Sequence, residues 1–165
     1  MIAAIVGVAL AGCSKGENDK LTNAYTYDGK TFNIVYAKSY TSPGNGIQFF
    51  ISPTVPAEDP SDEPDFFLFE CPIEALGQLI KLHEPYDDVN WFPYVALQYN
   101  ETEYWGGSVS DEANLNDLSG SDNRVKVTKN TGADNYTLEF AMTLNGKRIE
   151  GNYTGTFEEY GGWIY

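Results

Sequence analysis

The segment YTLEFAMTLNGKRIEGNYTGTF, Tyr136 to Phe157, constrains the fold more than any other part of the chain. Tyr136, Leu138, Phe140, Met142 and Leu144 alternate with Thr137, Glu139, Ala141 and Thr143, and Ile149, Gly151, Tyr153, Gly155 and Phe157 form a second alternating row. A period of two is that of a strand with one face in a core. Asn145-Gly146 between the rows suits a two-residue type I′ turn, in which both central residues take positive φ. That turn sets the register: Met142 opposite Ile149, Phe140 opposite Gly151, Leu138 opposite Tyr153, and Tyr136 opposite Gly155. Each glycine then faces an aromatic ring able to cover its bare backbone. Just upstream, Val125 and Val127 alternate with Arg124, Lys126 and Thr128, so a third strand joins through the loop Asn130 to Asn135 and makes a meander.

The beginning of the chain shows the same grammar. Asp28-Gly29 turns Ala24 to Tyr27 back against Lys30 to Tyr40, placing Tyr25 opposite Phe32, with Ile34 and Tyr36 continuing that face. The turn Ser42 to Gly46 leads into a strand from Ile47 to Ser52, and Pro53 to Pro64, with four prolines, is a loop. Asp65 to Cys71 is an apolar strand. From Pro72 onward, Ile73, Leu76, Leu79 and Ile80 fall at helical spacing and predict one short helix or helical turn. Pro93 to Asn100 and Thr102 to Ser110 form a further pair of strands, followed by a polar loop from Asp111 to Asn123. Twelve Tyr, nine Phe and sixteen Gly in 165 residues favour pleated strands and turns over helices. The length fits one all-β domain.

Residues Met1 to Gly12 carry no charge, and Ile2 to Ala11 is an apolar run of signal-core length, short of the roughly 20 residues that span a bilayer. Leu10-Ala11-Gly12-Cys13 resembles the lipobox of bacterial lipoproteins. The resemblance implies a signal peptide over 1–12 and a mature chain that begins at Cys13, whose sulfur carries diacylglycerol with palmitate-type chains. Two or three acyl chains on one residue anchor a protein stably, where one does not. Residues 13–22 then form the lipidated cysteine and a polar, flexible tether, and 23–165 the single all-β domain. Together with YDGKTFNI, CPIEALGQLIKL and NGKRIEGNYTGTF, the lipobox makes the chain similar to small all-β lipoproteins of Bacteroidota. That resemblance implies an antiparallel β-sandwich or a flattened lipocalin-like barrel, and brings no activity with it. In those lipoproteins a charged, acid-containing stretch after the cysteine, here SKGEND, tends to direct the protein to the outer face of the outer membrane. The expected location is the outer membrane, at the cell surface or on its periplasmic side.

Ten Lys and Arg stand against twenty-four Asp and Glu, a formal charge of -14, so nucleic acid is excluded as a partner. The acidity itself is ordinary surface solubility. His83 is the only histidine, and no HExxH, paired CxxC, GxSxG, GxGxxG or P-loop occurs, so no catalytic residue, metal or cofactor is expected. Cys71 reads as a small buried hydrophobe. Asp87 with Asp88, or Glu101 with Glu103, could pair as hydrolytic acids but read as solvated loop charges. Glu58, Asp59, Asp62, Glu63 and Asp65 in one loop, and Asp111, Asn114, Asn116, Asp117 and Asp122 in another, offer oxygens of the kind calcium takes without matching an EF-hand.

WFPYVALQYNETEYW, Trp91 to Trp105, is the segment most suited to binding. Trp91, Tyr94, Tyr99, Tyr104 and Trp105, with Gln98 and Asn100, supply the flat apolar faces and hydrogen-bonding partners of a sugar-stacking platform. Alternation sends one of the rows Tyr94-Ala96-Gln98 and Val95-Leu97-Tyr99 inward, so about half of these rings are structural. The expected function is a lipid-anchored envelope module that binds glycan or protein. A lipocalin-like carrier would need a deep apolar cavity instead, and a carbohydrate-active enzyme two facing carboxylates.

Overall fold

The structure is a computed structural model that describes residues 22–56, 65–84, 93–99, 103–108, 118, 120–144 and 146–161. Twelve strands occur in these residues: β1 Ala24–Tyr27, β2 Lys30–Asn33, β3 Tyr36–Thr41, β4 Gly46–Ser52, β5 Phe66–Pro72, β6 Leu79–Lys81, β7 Tyr94–Tyr99, β8 Glu103–Gly107, β9 Arg124–Lys129, β10 Asn135–Leu144, β11 Lys147–Thr156 and β12 Glu158–Glu159. They form two six-stranded sheets, sheet A in the order β2-β1-β11-β10-β9-β6 and sheet B in the order β12-β3-β4-β5-β7-β8. Every ladder is antiparallel except that of β12 beside β3. Among the described residues no ladder joins one sheet to the other, and the architecture is a sandwich rather than a closed barrel.

The C-terminal hairpin has the register its turn dictates: Met142 pairs Ile149, Phe140 pairs Gly151, Leu138 pairs Tyr153 and Tyr136 pairs Gly155. Asn145 lies outside the described residues, and Gly146 has φ 71°. The N-terminal hairpin also turns as expected, with Asp28 at φ 49° and Gly29 at φ 73°, and pairs Tyr25 with Phe32. Beyond it the chain departs from the expected single strand. Ile34 N–H donates to Asn23 O of sheet A at 2.8 Å and Val35 N–H to Ser52 O of sheet B at 3.0 Å, so the chain changes sheets between two neighbouring residues. Tyr36 therefore leaves the face of Tyr25 and points outward from sheet B, where it packs on Phe50.

The helix predicted after Pro72 is reduced to one 3-10 turn, Ile73–Ala75, with Pro72 as its extended N-cap. Gly77, at φ 87°, turns the chain out of helical geometry, and its N–H donates to Val127 O at 2.7 Å. Leu79 and Ile80 consequently belong to the short edge strand β6, paired with β9.

The inner faces of both sheets make one core. Phe67 of β5 and Phe140 of β10 stack across the sandwich with centroids 4.2 Å apart and planes 12° apart. Phe49 meets Tyr136 and Phe157 edge-on at 5.1 and 5.2 Å. Each such ring taken out of water contributes about 1.5–3 kcal/mol. Cys71 is fully buried in this core. Burial pushes its thiol up to about 12, with the nearby Glu70 charge adding to the effect, so it acts as an apolar side chain.

Phe140 and Tyr136 stand opposite Gly151 and Gly155, and the atoms nearest to a Cβ at each glycine come from further neighbours. A Cβ on Gly151 would lie 2.6 Å from Ala24 O and 2.5 Å from Tyr25 Cβ, because β1 presses against β11 there. At Gly155 the cover is Tyr153 of the same strand, whose hydroxyl would be 2.9 Å from such a Cβ. Gly151→Ala is expected to cost about 2–4 kcal/mol by overpacking a backbone that cannot step aside. Gly44→Ala, where the nearest atom to a Cβ is Ser42 Oγ at 3.9 Å, should stay within about 0.5 kcal/mol of wild type. Urea denaturation of the two variants measures the contrast.

Candidate functional site

The two outward faces of the sandwich differ in chemistry. Sheet A turns out Thr26, Thr128, Thr137 and Thr154 among charged residues such as Lys126 and Glu139, an ordinary solvated surface. Sheet B, whose central strands β4 and β5 are apolar on both faces, turns out rings, amides and a carboxylate.

Register arranges the outward side chains of sheet B in rows that run across the strands. One row is Tyr40, Gln48, Glu70 and Tyr94. The next is Lys38, Phe50, Leu68, Ala96 and Gly106. Phe66, Gln98 and Tyr104 follow in a third, with Tyr36 and Ser52 at its β3–β4 end. Phe50, Phe66, Leu68 and Ala96 form a second buried apolar cluster, with Tyr36 and Tyr94 packed against it. The Tyr94 and Tyr104 hydroxyls lie 3.3 Å apart, and Tyr104 is 59% exposed. Gly106 makes their approach feasible, since a Cβ there would fall 2.5 Å from the Tyr104 hydroxyl and 2.7 Å from that of Tyr94. Burial raises the Tyr94 phenol well above its ordinary range, helped by the Tyr104 hydrogen bond and the Glu70 charge, so it remains neutral. Gln48 Nε2 donates to Glu70 Oε2 at 3.0 Å.

Of the rings expected to build a platform, Tyr94 and Tyr104 lie on this face. Tyr99 and Trp105, 6% and 8% exposed, belong to the core between the sheets. Trp91 and Asn100 lie outside the described residues. Glu70 and Gln48 are members of the face that the sequence reading does not single out. Their signal is available in hindsight: each is a polar residue interrupting an otherwise apolar strand, in IQFFI and FFLFEC, at the outward parity.

Tyr99 instead takes part in a polar clasp at the edge where β2 and β1 approach β7 and β8. Tyr27 Oη donates to Glu103 Oε1 at 2.6 Å, and Lys147 Nζ donates to Glu103 Oε2 at 2.8 Å while standing 3.5 Å from Asp28 Oδ2. Lys30 Nζ donates to Tyr99 Oη at 2.5 Å, and the Tyr99 ring meets Tyr27 edge-on at 5.3 Å. Glu103 is thereby committed to joining the sheets. Glu101, Asp87 and Asp88 lie outside the described residues, as do most of the oxygen donors of the two acidic loops. Among the described residues no group of three or more His, Cys, Asp or Glu side chains could hold a metal ion. His83 Nε2 stands 3.2 Å from Glu84 Oε1 in a turn. Comparison with protein-family models, with curated proteins and with solved structures finds no match to the chain.

The clasp ties stability to alkaline pH. Burial, then the Glu103 hydrogen bond, raises the Tyr27 phenol, and hydrogen bonds to Glu103 and Tyr99 raise the Lys147 and Lys30 ammonium groups. A raised value in the folded state means that the fold holds the proton more tightly than the unfolded chain does. The stabilisation is therefore complete below about pH 10, where unfolded Tyr and Lys titrate, and is lost as the pH climbs beyond it. Urea midpoints measured from pH 7 to 12 should fall steeply above about pH 10. Tyr27→Phe should lower stability at neutral pH by about 1.5–3 kcal/mol and shrink the alkaline loss; an undiminished loss in that variant would remove Tyr27 from the account.

Proposed function

We propose that the protein is a lipid-anchored cell-envelope module, held in the outer membrane through Cys13, that binds a glycan on the outer face of sheet B. The observation that carries this reading is the asymmetry of the two outward faces: a threonine-rich solvated surface on one side, and on the other the Tyr94–Tyr104 pair set beside Glu70, Gln48 and Gln98. An exposed ring offers a flat apolar surface for the hydrophobic face of a pyranose, and the half-buried Glu70 carboxylate across from Tyr94 accepts from its hydroxyls. A 59% exposed tyrosine whose hydroxyl is hydrogen-bonded to that of the half-buried Tyr94 loses less side-chain freedom on contact, which favours binding. A protein ligand using the same face is the nearest alternative. The carrier reading has less support, because Phe67 and Phe140 stack where an interior cargo would lie. The enzyme reading has less too, because Glu103 is bound by Tyr27 and Lys147.

Lipidation has its own test: radiolabelled palmitate should enter the wild-type chain in a bacterial host with lipoprotein processing, and Cys13→Ser should abolish labelling and release the protein from membranes. For binding, a glycan array should give a signal that Tyr104→Ala reduces at least tenfold and that Thr137→Ala, on the opposite face, leaves unchanged. A signal indifferent to Tyr104→Ala would sink the site.

A further inference from the structure

Sheet A ends at β2, and among the described residues no strand pairs with the outer edge of β2. Ile34 N–H donates to Asn23 O at 2.8 Å, and the register pairs Tyr25 with Phe32 and Tyr27 with Lys30. Hydrogen-bonded and non-hydrogen-bonded pairs alternate along an antiparallel ladder, so Lys30, Phe32 and Ile34 turn their backbone groups toward β1. Thr31 and Asn33 aim theirs the other way, and both residues are exposed. An open row of N–H and C=O groups is a template for another strand, and edges are commonly blunted by charge. At one edge of sheet B that device is present, since β12 consists of two exposed glutamates. β2 carries no acid, and its one cation is drawn inward, Lys30 Nζ donating to Tyr99 Oη at 2.5 Å. Phe32, stacked on Tyr25 with centroids 5.0 Å apart, is left half-buried at the rim of the core.

This edge is complementary to itself. Set antiparallel to a second copy about a two-fold axis at Phe32, Thr31 stands opposite Asn33 of the other chain and Asn33 opposite its Thr31, each pair exchanging both backbone hydrogen bonds. Between them Phe32 meets Phe32 in the non-hydrogen-bonded position, where opposed side chains come closest. We propose that the protein pairs with a second copy of itself through β2, joining two six-stranded sheets into one. So short a contact is weak between freely diffusing chains, and a net charge of -14 on each opposes it, though salt screens that repulsion beyond about 8 Å. The strength of the pairing therefore rests on the lipid-anchored reading above, which confines both copies to one plane. Cys13 precedes Asn23 by ten residues, a reach of at most about 35 Å, and Asn23 is held beside the end of β2, so both anchors can enter one membrane.

The test is disulfide cross-linking of the full chain in membranes of a bacterial host with lipoprotein processing that co-expresses Thr31→Cys and Asn33→Cys copies. A hydrogen-bonded pair sets Cα atoms about 5.5 Å apart, within reach of a disulfide. The mixture should give a product of twice the chain mass at least tenfold above either variant alone. Adding Thr31→Pro to the Asn33→Cys copy removes an edge N–H that β1 does not use, so that copy should stay folded by circular dichroism while the product disappears. No product, equal product from each variant alone, or product that survives Thr31→Pro would overturn the pairing. A product of another mass that Thr31→Pro removes would overturn the second copy as partner and assign the edge to a foreign strand. Cys13→Ser should lower the yield at least tenfold at equal protein. An undiminished yield there, together with a wild-type chain that takes up no palmitate, would sink the lipid anchor and leave the β2 pairing standing; palmitate uptake without any cross-link would do the reverse.

Discussion

Phe140 is where the two sheets meet, and the remaining structure depends on that contact. Its ring lies on Phe67 at 4.2 Å, its strand is flanked by β9 and β11, and the other members of its row, Tyr136, Leu138, Met142 and Leu144, are buried with it. Once this seam is closed, the period of two leaves no freedom over what points outward. In sheet A the residues thrown outward are mostly threonines and charges. In sheet B the same rule throws out Phe50, Phe66, Leu68 and Ala96, which gather into a separate cluster. The outer face of sheet B is thus a by-product of parity as much as of surface chemistry, and its centre is the pair of apolar strands β4 and β5.

Local chemistry made much of this readable. Asp28-Gly29 and Asn145-Gly146 specify turns, turns specify register, and the observed pairing of β10 with β11 follows residue by residue. The crossover at Ile34–Val35 was illegible because nothing local marks it: both residues are β-branched and extend the strand pattern without a break. The helix after Pro72 misled for a related reason. Spacing of Ile73, Leu76 and Ile80 suits a helix, but β6 is defined by its hydrogen bonds to β9, a partner more than forty residues away.

The site was half legible on the same grounds. Alternation said that the rings between Trp91 and Trp105 divide between two faces, but which row enters the core depends on Phe67, Phe69 and Phe32, far away in sequence. Glu70 and Gln48 could be found only once β4, β5 and β7 were known to be neighbours, since the row they make crosses three strands. Glu103 shows the converse: beside Tyr104 and Trp105 it reads as a candidate acid, and only the approach of Tyr27 and Lys147 from sheet A reveals its duty.

The first strand of the domain has its central ladder with one of the last. Thr26 Oγ1 donates to Glu150 O across 124 residues of chain, and Gly151 is pressed against Tyr25. Strand β1 can pair with β2 at once, but its second ladder waits for the C-terminal hairpin, and loop closure over such a span is slow. A chain threaded through a membrane from its N-terminus would stay extensible until its tail had followed. The topology itself places the closing of sheet A after the last strands of the chain are in hand.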